Sequence, residues 1–162
     1  MPIQKYGMPG FSTARRVAMR GAATVEFALL LIPLLLLGFG GAEYGRALYQ
    51  YNTLVKSVRD SARYLSQYNP ADSNYPLTAA KNLAVYGATT DTGNPLVPGL
   101  TTSMVTVSYP ALTATPPMST VQVTIVYPFS FVFDPARLLG GATSAITFGG
   151  TTTGIHATMR QS

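Results

Sequence analysis

Residues 22–41 read Ala22-Ala-Thr-Val-Glu26-Phe27-Ala-Leu-Leu-Leu-Ile-Pro33-Leu-Leu-Leu-Leu-Gly38-Phe-Gly-Gly41, an apolar run with a single charge. Wound as a helix at ~1.5 Å per residue, it extends ~30 Å, the thickness of a bilayer's hydrocarbon core. This predicts one membrane-spanning helix over residues 22–41. The run also accounts for the composition, in which charged residues make up only 10% of the 162, against roughly 25% in an ordinary soluble domain. Its weak points are Pro33, which removes a backbone hydrogen bond and favours a kink, and the glycines 38, 40, 41 and 45.

The net charge of +5 is unevenly placed. Residues 1–21 carry Lys5, Arg15, Arg16 and Arg20 and no acid, whereas the rest of the chain is nearly balanced. The body therefore lacks the basic footprint of a nucleic-acid binder, and no nucleic-acid partner is expected. A basic leader ahead of an apolar run favours a cytoplasmic N-terminus and an extracytoplasmic body. Arg46, Lys56 and Arg59 beyond the other end weaken that bias, and Tyr44, Tyr49 and Tyr51 suit an interfacial aromatic belt. The absence of cysteine excludes disulfides, thiolate metal sites and cysteine nucleophiles.

Two features exceed what a plain anchor needs. Glu26 lies in the apolar run, where a carboxylate costs ~2.5–3.5 kcal/mol at full depth and less near the edge. Ahead of it stands Arg20-Gly21-Ala22, a glycine between a basic residue and small ones. Cleavage after Gly21 would make Glu26 the fifth mature residue and Phe27 the sixth. It would also free an amino group at Ala22, four residues from Glu26 and on the same helical face. That cation, in its own chain or a neighbour's, would give the acid a partner.

The helical pattern continues past the apolar run. Tyr44, Leu48, Tyr51, Val55, Val58, Ala62 and Leu65 alternate spacings of four and three, while Arg46, Lys56, Arg59, Asp60 and Arg63 fall elsewhere. This predicts an amphipathic helix over residues 42–68 with those apolar positions as its seam. Gly41 and Gly45, four apart, would admit another helix closely. Asn69-Pro70 through Tyr75-Pro76 ends the rod. A short helix is expected over residues 78–86, with Gly87 as its stop. Alternation predicts strands over 104–109 and 120–127, paired antiparallel, with Pro128 closing the second and Phe129, Phe131 and Phe133 continuing an apolar face. Further strands are expected near 142–148 and 152–159. The result is an α+β fold, a long N-terminal helix packed on a small antiparallel sheet. Its parts are a basic leader (1–21), a span (22–41), an amphipathic extension (42–68) and an extracytoplasmic body (69–162).

Chemistry for catalysis is sparse. His156, Asp60, Asp72, Asp91 and Asp134 form no motif with nucleophile, phosphate-loop or metal-ligand spacing. No catalytic residue, metal or cofactor is expected, and His156 reads as a surface or edge residue. Lys56, Arg59 and Arg63 form a basic stripe, either a solvated face or a contact for anionic lipid or an acidic partner.

Several segments together resemble the TadE-like family: Arg20-Gly21-Ala-Ala-Thr-Val-Glu26-Phe27-Ala-Leu, Pro33 inside the apolar run, and Glu43-Tyr44-Gly45-Arg46-Ala-Leu. Ser57-Val-Arg-Asp-Ser-Ala62-Arg63-Tyr64, Ala79-Ala-Lys-Asn82-Leu-Ala-Val-Tyr-Gly87, Val121–Phe129 and Ala157–Arg160 are similar to later parts of the family, with residues 20–64 carrying the specific likeness. The resemblance implies a pilin-like minor pseudopilin of a tight-adherence pilus system, non-enzymatic and single-pass in the bacterial inner membrane. It implies a cut after Gly21 by a prepilin peptidase, with Gly21, Ala22, Glu26 and Phe27 as the recognition residues. The partners it implies are the bilayer, that peptidase, and other pilus-assembly proteins or pilin subunits. The competing reading is a secreted or periplasmic binding domain whose first forty residues are a secretory signal, cut after Ala42.

Overall fold

The computed structural model describes residues 14–70, 72–109, 111–112, 118–134, 137, 140–141, 145–148 and 154–161. The chain is α+β and separates into two units, Met1–Gly40 and Gly41–Ser162. Helix α1 covers Ala14–Leu65 and runs through Pro33 without interruption. It begins earlier than the expected residue 22, because Ala14-Arg-Arg-Val-Ala-Met-Arg is dominated by strong helix formers. It ends at Leu65, three residues before the expected boundary, in a tightened turn where the amide of Gln67 bonds the carbonyl of Tyr64.

In the first unit, residues 21–40 bury none of their apolar window within the chain. Val25, Phe27, Leu29, Leu30, Ile32, Leu34, Leu35, Leu37 and Phe39 are all exposed, Leu37 to 76%. Removing each such side chain from water is worth about 1.5–3 kcal/mol. Nine of them together rival the entire stability of a domain, about 5–15 kcal/mol. This helix is built for an apolar environment.

Among the described residues, the second unit holds the remainder of α1, helix α2 (Leu77–Tyr86) and six short strands. Helix α2 closes on Gly87, whose φ of +73° lets its amide return to the carbonyl of Leu83. A 3-10 turn at Thr102–Met104 leads into β1 (Val105–Ser108), with β2 at Ala111–Leu112 and β3 at Met118–Ile125. Both β1 and β2 pair antiparallel with β3 in one continuous register, Val105 opposite Ile125 and Ala111 opposite Ser119. On the other side of β3 lies β6 (Ile155–Arg160), Val123 facing Ala157. The predicted strand 120–127 is divided: β3 stops at Ile125, and β4 (Tyr127–Ser130) starts a second sheet with β5 (Ala145–Phe148). The divide falls at Val126: its amide still bonds the carbonyl of Met104 in the β1–β3 register, but the amide of Met104 turns back to Thr101 in the 3-10 turn, and the ladder ends there. Pro128 does not close a strand but sits within β4, opposite Thr147 of β5, and among the described strands β4 pairs with β5 alone, an edge position that tolerates proline.

One buried cluster joins α1, α2 and both sheets: Leu54, Val58, Ala62 and Leu65, then Ala84 and Val85, then Val105, Val121, Val123, Ile125, Tyr127, Phe129 and Ile155. The expected helix seam holds at its C-terminal end, where Val58, Ala62 and Leu65 are fully buried and Val55 packs at the core's margin, and turns outward towards its start, where Tyr44, Leu48 and Tyr51 are exposed. Leu54 takes the core position there, with Gln50, Ser57 and Ser61 buried beside it. At 100° per residue the buried face lies about 60° round from the predicted one. The serines permit this, since both hydroxyls are satisfied locally: Ser57 Oγ donates to the carbonyl of Leu54, and Ser61 Oγ donates at 2.8 Å to the carbonyl of Ala80, tying α1 to α2.

Candidate functional site

The first turns of α1 in the second unit carry Glu43-Tyr44-Gly45-Arg46. Glu43 and Arg46 are three apart and so share a helical face. Arg46 donates through Nε and a terminal nitrogen to one oxygen of Glu43, at 3.1 and 2.7 Å. The other Glu43 oxygen accepts the amides of Val132 and Phe133, at 3.1 and 3.0 Å. Arg46 also donates to the carbonyl of Ser130, and its guanidinium lies 4.4 Å from the ring centroid of buried Phe129. Two side chains of one helical turn thus clasp the backbone that leaves β4.

The electrostatics follow from this packing. Glu43 is 11% exposed and Arg46 31%. Burial alone would raise the Glu43 carboxyl. The hydrogen bonds from Arg46, the amide of Phe133, the charge of Arg46 and the amide of Val132 together outweigh it and hold the group below its ordinary value. The clasp is therefore an ion pair at neutral pH, with both carboxylate oxygens occupied.

The residues singled out from the sequence are placed as follows. Gly21, Ala22, Glu26 and Phe27 lie exposed on α1 in the first unit, and a Cβ added at Gly21 would meet no atom within 4 Å. Gly41 and Gly45 are equally open, so their surface is unoccupied by this chain. Val58 is fully buried, Val55 packs at the margin of the core, and Tyr44, Leu48 and Tyr51 remain exposed. Lys56, Arg59 and Arg63 are exposed, as is His156, which faces Thr124 across β3 and β6. Tyr49, Thr53, Lys56 and Asp60 line an open groove of about 370 Å³ opposite Leu83 and Leu96, with no histidine among its lining residues. Among the described residues no group of three His, Cys, Asp or Glu side chains could hold a metal ion.

The clasp is the feature that sequence reasoning missed. Glu43 and Arg46 entered it through the family likeness and a hypothetical signal cut, with no partners. A helical Glu–Arg pair directly after an apolar run was a visible local signal, but the amides it holds are 89 and 90 residues away.

A family profile described as TadE-like protein matches residues 21–63. The match runs from Gly21 through the exposed apolar helix, takes in Glu43 and Arg46, and ends before α2 and the sheets. No curated protein and no solved structure matches the chain. The chain thus combines a TadE-like segment with one helix long and apolar enough to cross a membrane.

Proposed function

We propose that the protein is a non-enzymatic, single-pass membrane protein that acts as a minor pseudopilin in tight-adherence pilus assembly. The observation that carries this reading is the apolar helix of residues 21–40, none of whose apolar window is buried within the chain, coinciding with the TadE-like match. In this reading the N-terminus faces the cytoplasm and the Gly41–Ser162 unit lies outside the inner membrane. A prepilin peptidase cuts after Gly21, and Glu26 meets the amino group freed at Ala22. The helix then engages other pilus-assembly proteins or pilin subunits through surfaces such as the open Gly41–Gly45 strip.

N-terminal sequencing of the protein from its native membrane tests the proposal. A mature chain starting at Ala22 is expected. A start at Glu43 would favour the secreted domain, and a start at Met1 or Pro2 an uncleaved anchor. Gly21→Leu should abolish the cut, because a bulky side chain cannot enter a site fitted to glycine. Identical gel mobility of wild type and variant, with and without peptidase, would remove the cleavage step.

A further inference from the structure

Val132 is 85% exposed, more than any other large apolar side chain described, those of the apolar helix included. Single exposed apolar residues are ordinary on protein surfaces. This one differs in how it is held and where. Phe131-Val132-Phe133 follows β4 without a charge until Asp134. Its backbone is pinned, since the amides of Val132 and Phe133 are taken by one oxygen of Glu43 and the carbonyl of Ser130 accepts from Arg46. The two charges of the clasp that holds the tip, Glu43 and Arg46, neutralise each other in an ion pair at 2.7 Å. Val132 is thus an apolar projection between two half-buried phenylalanines, with its own amide and that of Phe133 already taken.

Its position follows from Glu43. That residue stands two beyond Gly41, the end of the apolar run, a rise of ~3 Å along the helix. One side chain and one hydrogen bond separate it from the amide of Val132. The polar layer between hydrocarbon and water is roughly 5–7 Å deep on each side of a bilayer. A group bonded to Glu43 therefore lies within reach of that layer. Exposed Tyr44, next to Glu43, is a residue type favoured there.

We propose that the Phe131–Phe133 tip is a lipid-contact site, with Val132 entering the interfacial layer of the bilayer that the apolar helix crosses. The proposal rests on the reading of residues 22–41 as a membrane span. The clasp then has a function beyond tying β4 to α1: it presents an apolar tip to the membrane surface and gives the Gly41–Ser162 unit a second attachment besides the chain itself.

The protein contains no tryptophan, so a single introduced indole reports one site. Full-length Val132→Trp, Thr92→Trp and Leu29→Trp would each be reconstituted into phosphatidylcholine–phosphatidylglycerol vesicles. Thr92 is an exposed loop residue and Leu29 lies in the apolar run. For Val132→Trp the expected result is blue-shifted emission, quenching by lipids brominated near the top of the acyl chain, and at least twofold less quenching by aqueous acrylamide than for Thr92→Trp. Acrylamide quenching equal to that of Thr92→Trp overturns the proposal. Shielding from acrylamide without quenching by brominated lipid also overturns it, and assigns the tip to a protein contact. Leu29→Trp separates the two levels: if brominated lipid quenches it but not Val132→Trp, only the tip contact fails. If Leu29→Trp is not quenched either, the membrane span fails and the tip contact with it.

Discussion

At Gly154, φ is +62°, and a Cβ would come 2.5 Å from Cγ2 of Thr124 and 2.9 Å from the carbonyl oxygen of Ile125. Glycine is required there twice over, by the left-handed backbone and by the close approach of β6 to β3. Gly93 also has positive φ, +75°, but open space around it. Gly154→Ala should therefore cost about 2–4 kcal/mol and Gly93→Ala about 1 kcal/mol, read as shifts in the urea midpoint of the detergent-solubilised protein. Equal shifts would mean that backbone conformation alone matters. Glu43 yields a pH prediction. Its carboxyl is held below the ordinary value in the fold, so its contribution is present above the unfolded value of about 4.3 and fades as pH falls through the folded value. Glu43→Gln should be less stable than wild type at pH 7 by about 1–3 kcal/mol, and the gap should close on acidification below pH ~4. Thermal unfolding across pH checks this, and a gap that persists undiminished at low pH would assign the effect to shape rather than charge.

At the scale of elements, the difference between the expected and observed faces of α1 is instructive. Periodicity located the helix, its end to within three residues (68 expected, 65 observed), the second helix with its glycine stop, and the antiparallel pairing of β1 with β3. It placed Val58, Ala62 and Leu65 in the buried face but centred that face too far round, because it assigned polar residues outward. Ser57 and Ser61 go inward because each finds a carbonyl, and Tyr44 and Leu48 stay outward although apolar. The break at Val126 had no local signal, since alternation carries on unbroken from Val121 to Phe129; it comes where the partner strand ends, the Met104 amide turning to Thr101 instead of returning a bond to Val126. The clasp was illegible because its two halves are far apart in sequence. The rotated face predicts that Leu54→Ala, at a fully buried position, costs about 2–5 kcal/mol. Leu48→Ala, at a position 43% exposed, should cost well under that, about 1 kcal/mol or less. Chemical denaturation of both variants decides the matter; a larger loss at Leu48 would return the core to the predicted seam.

For the whole molecule, the proposed assembly role turns on Glu26. Glu26→Gln should leave insertion and cleavage nearly intact, because removing a charge from the apolar run eases transfer into lipid. It should weaken association with other pilus components, because the ammonium freed at Ala22 would lack its counter-ion in an apolar setting. Co-purification at matched levels of cleaved protein measures this, and wild-type yields of complex would reduce Glu26 to an ordinary interfacial acid. The clasp, finally, imposes an order of events. Helical turns and the β1–β3 hairpin assemble from near neighbours, whereas Glu43 must wait for amides 89 and 90 residues further on, a closure with a larger entropic cost. A newly made chain therefore carries an unfastened Phe131–Phe133 segment until β3 and β4 have formed. That interval marks unfinished molecules: proteases and chaperones meet a loose apolar strap on an incomplete chain and a fastened one on a mature chain.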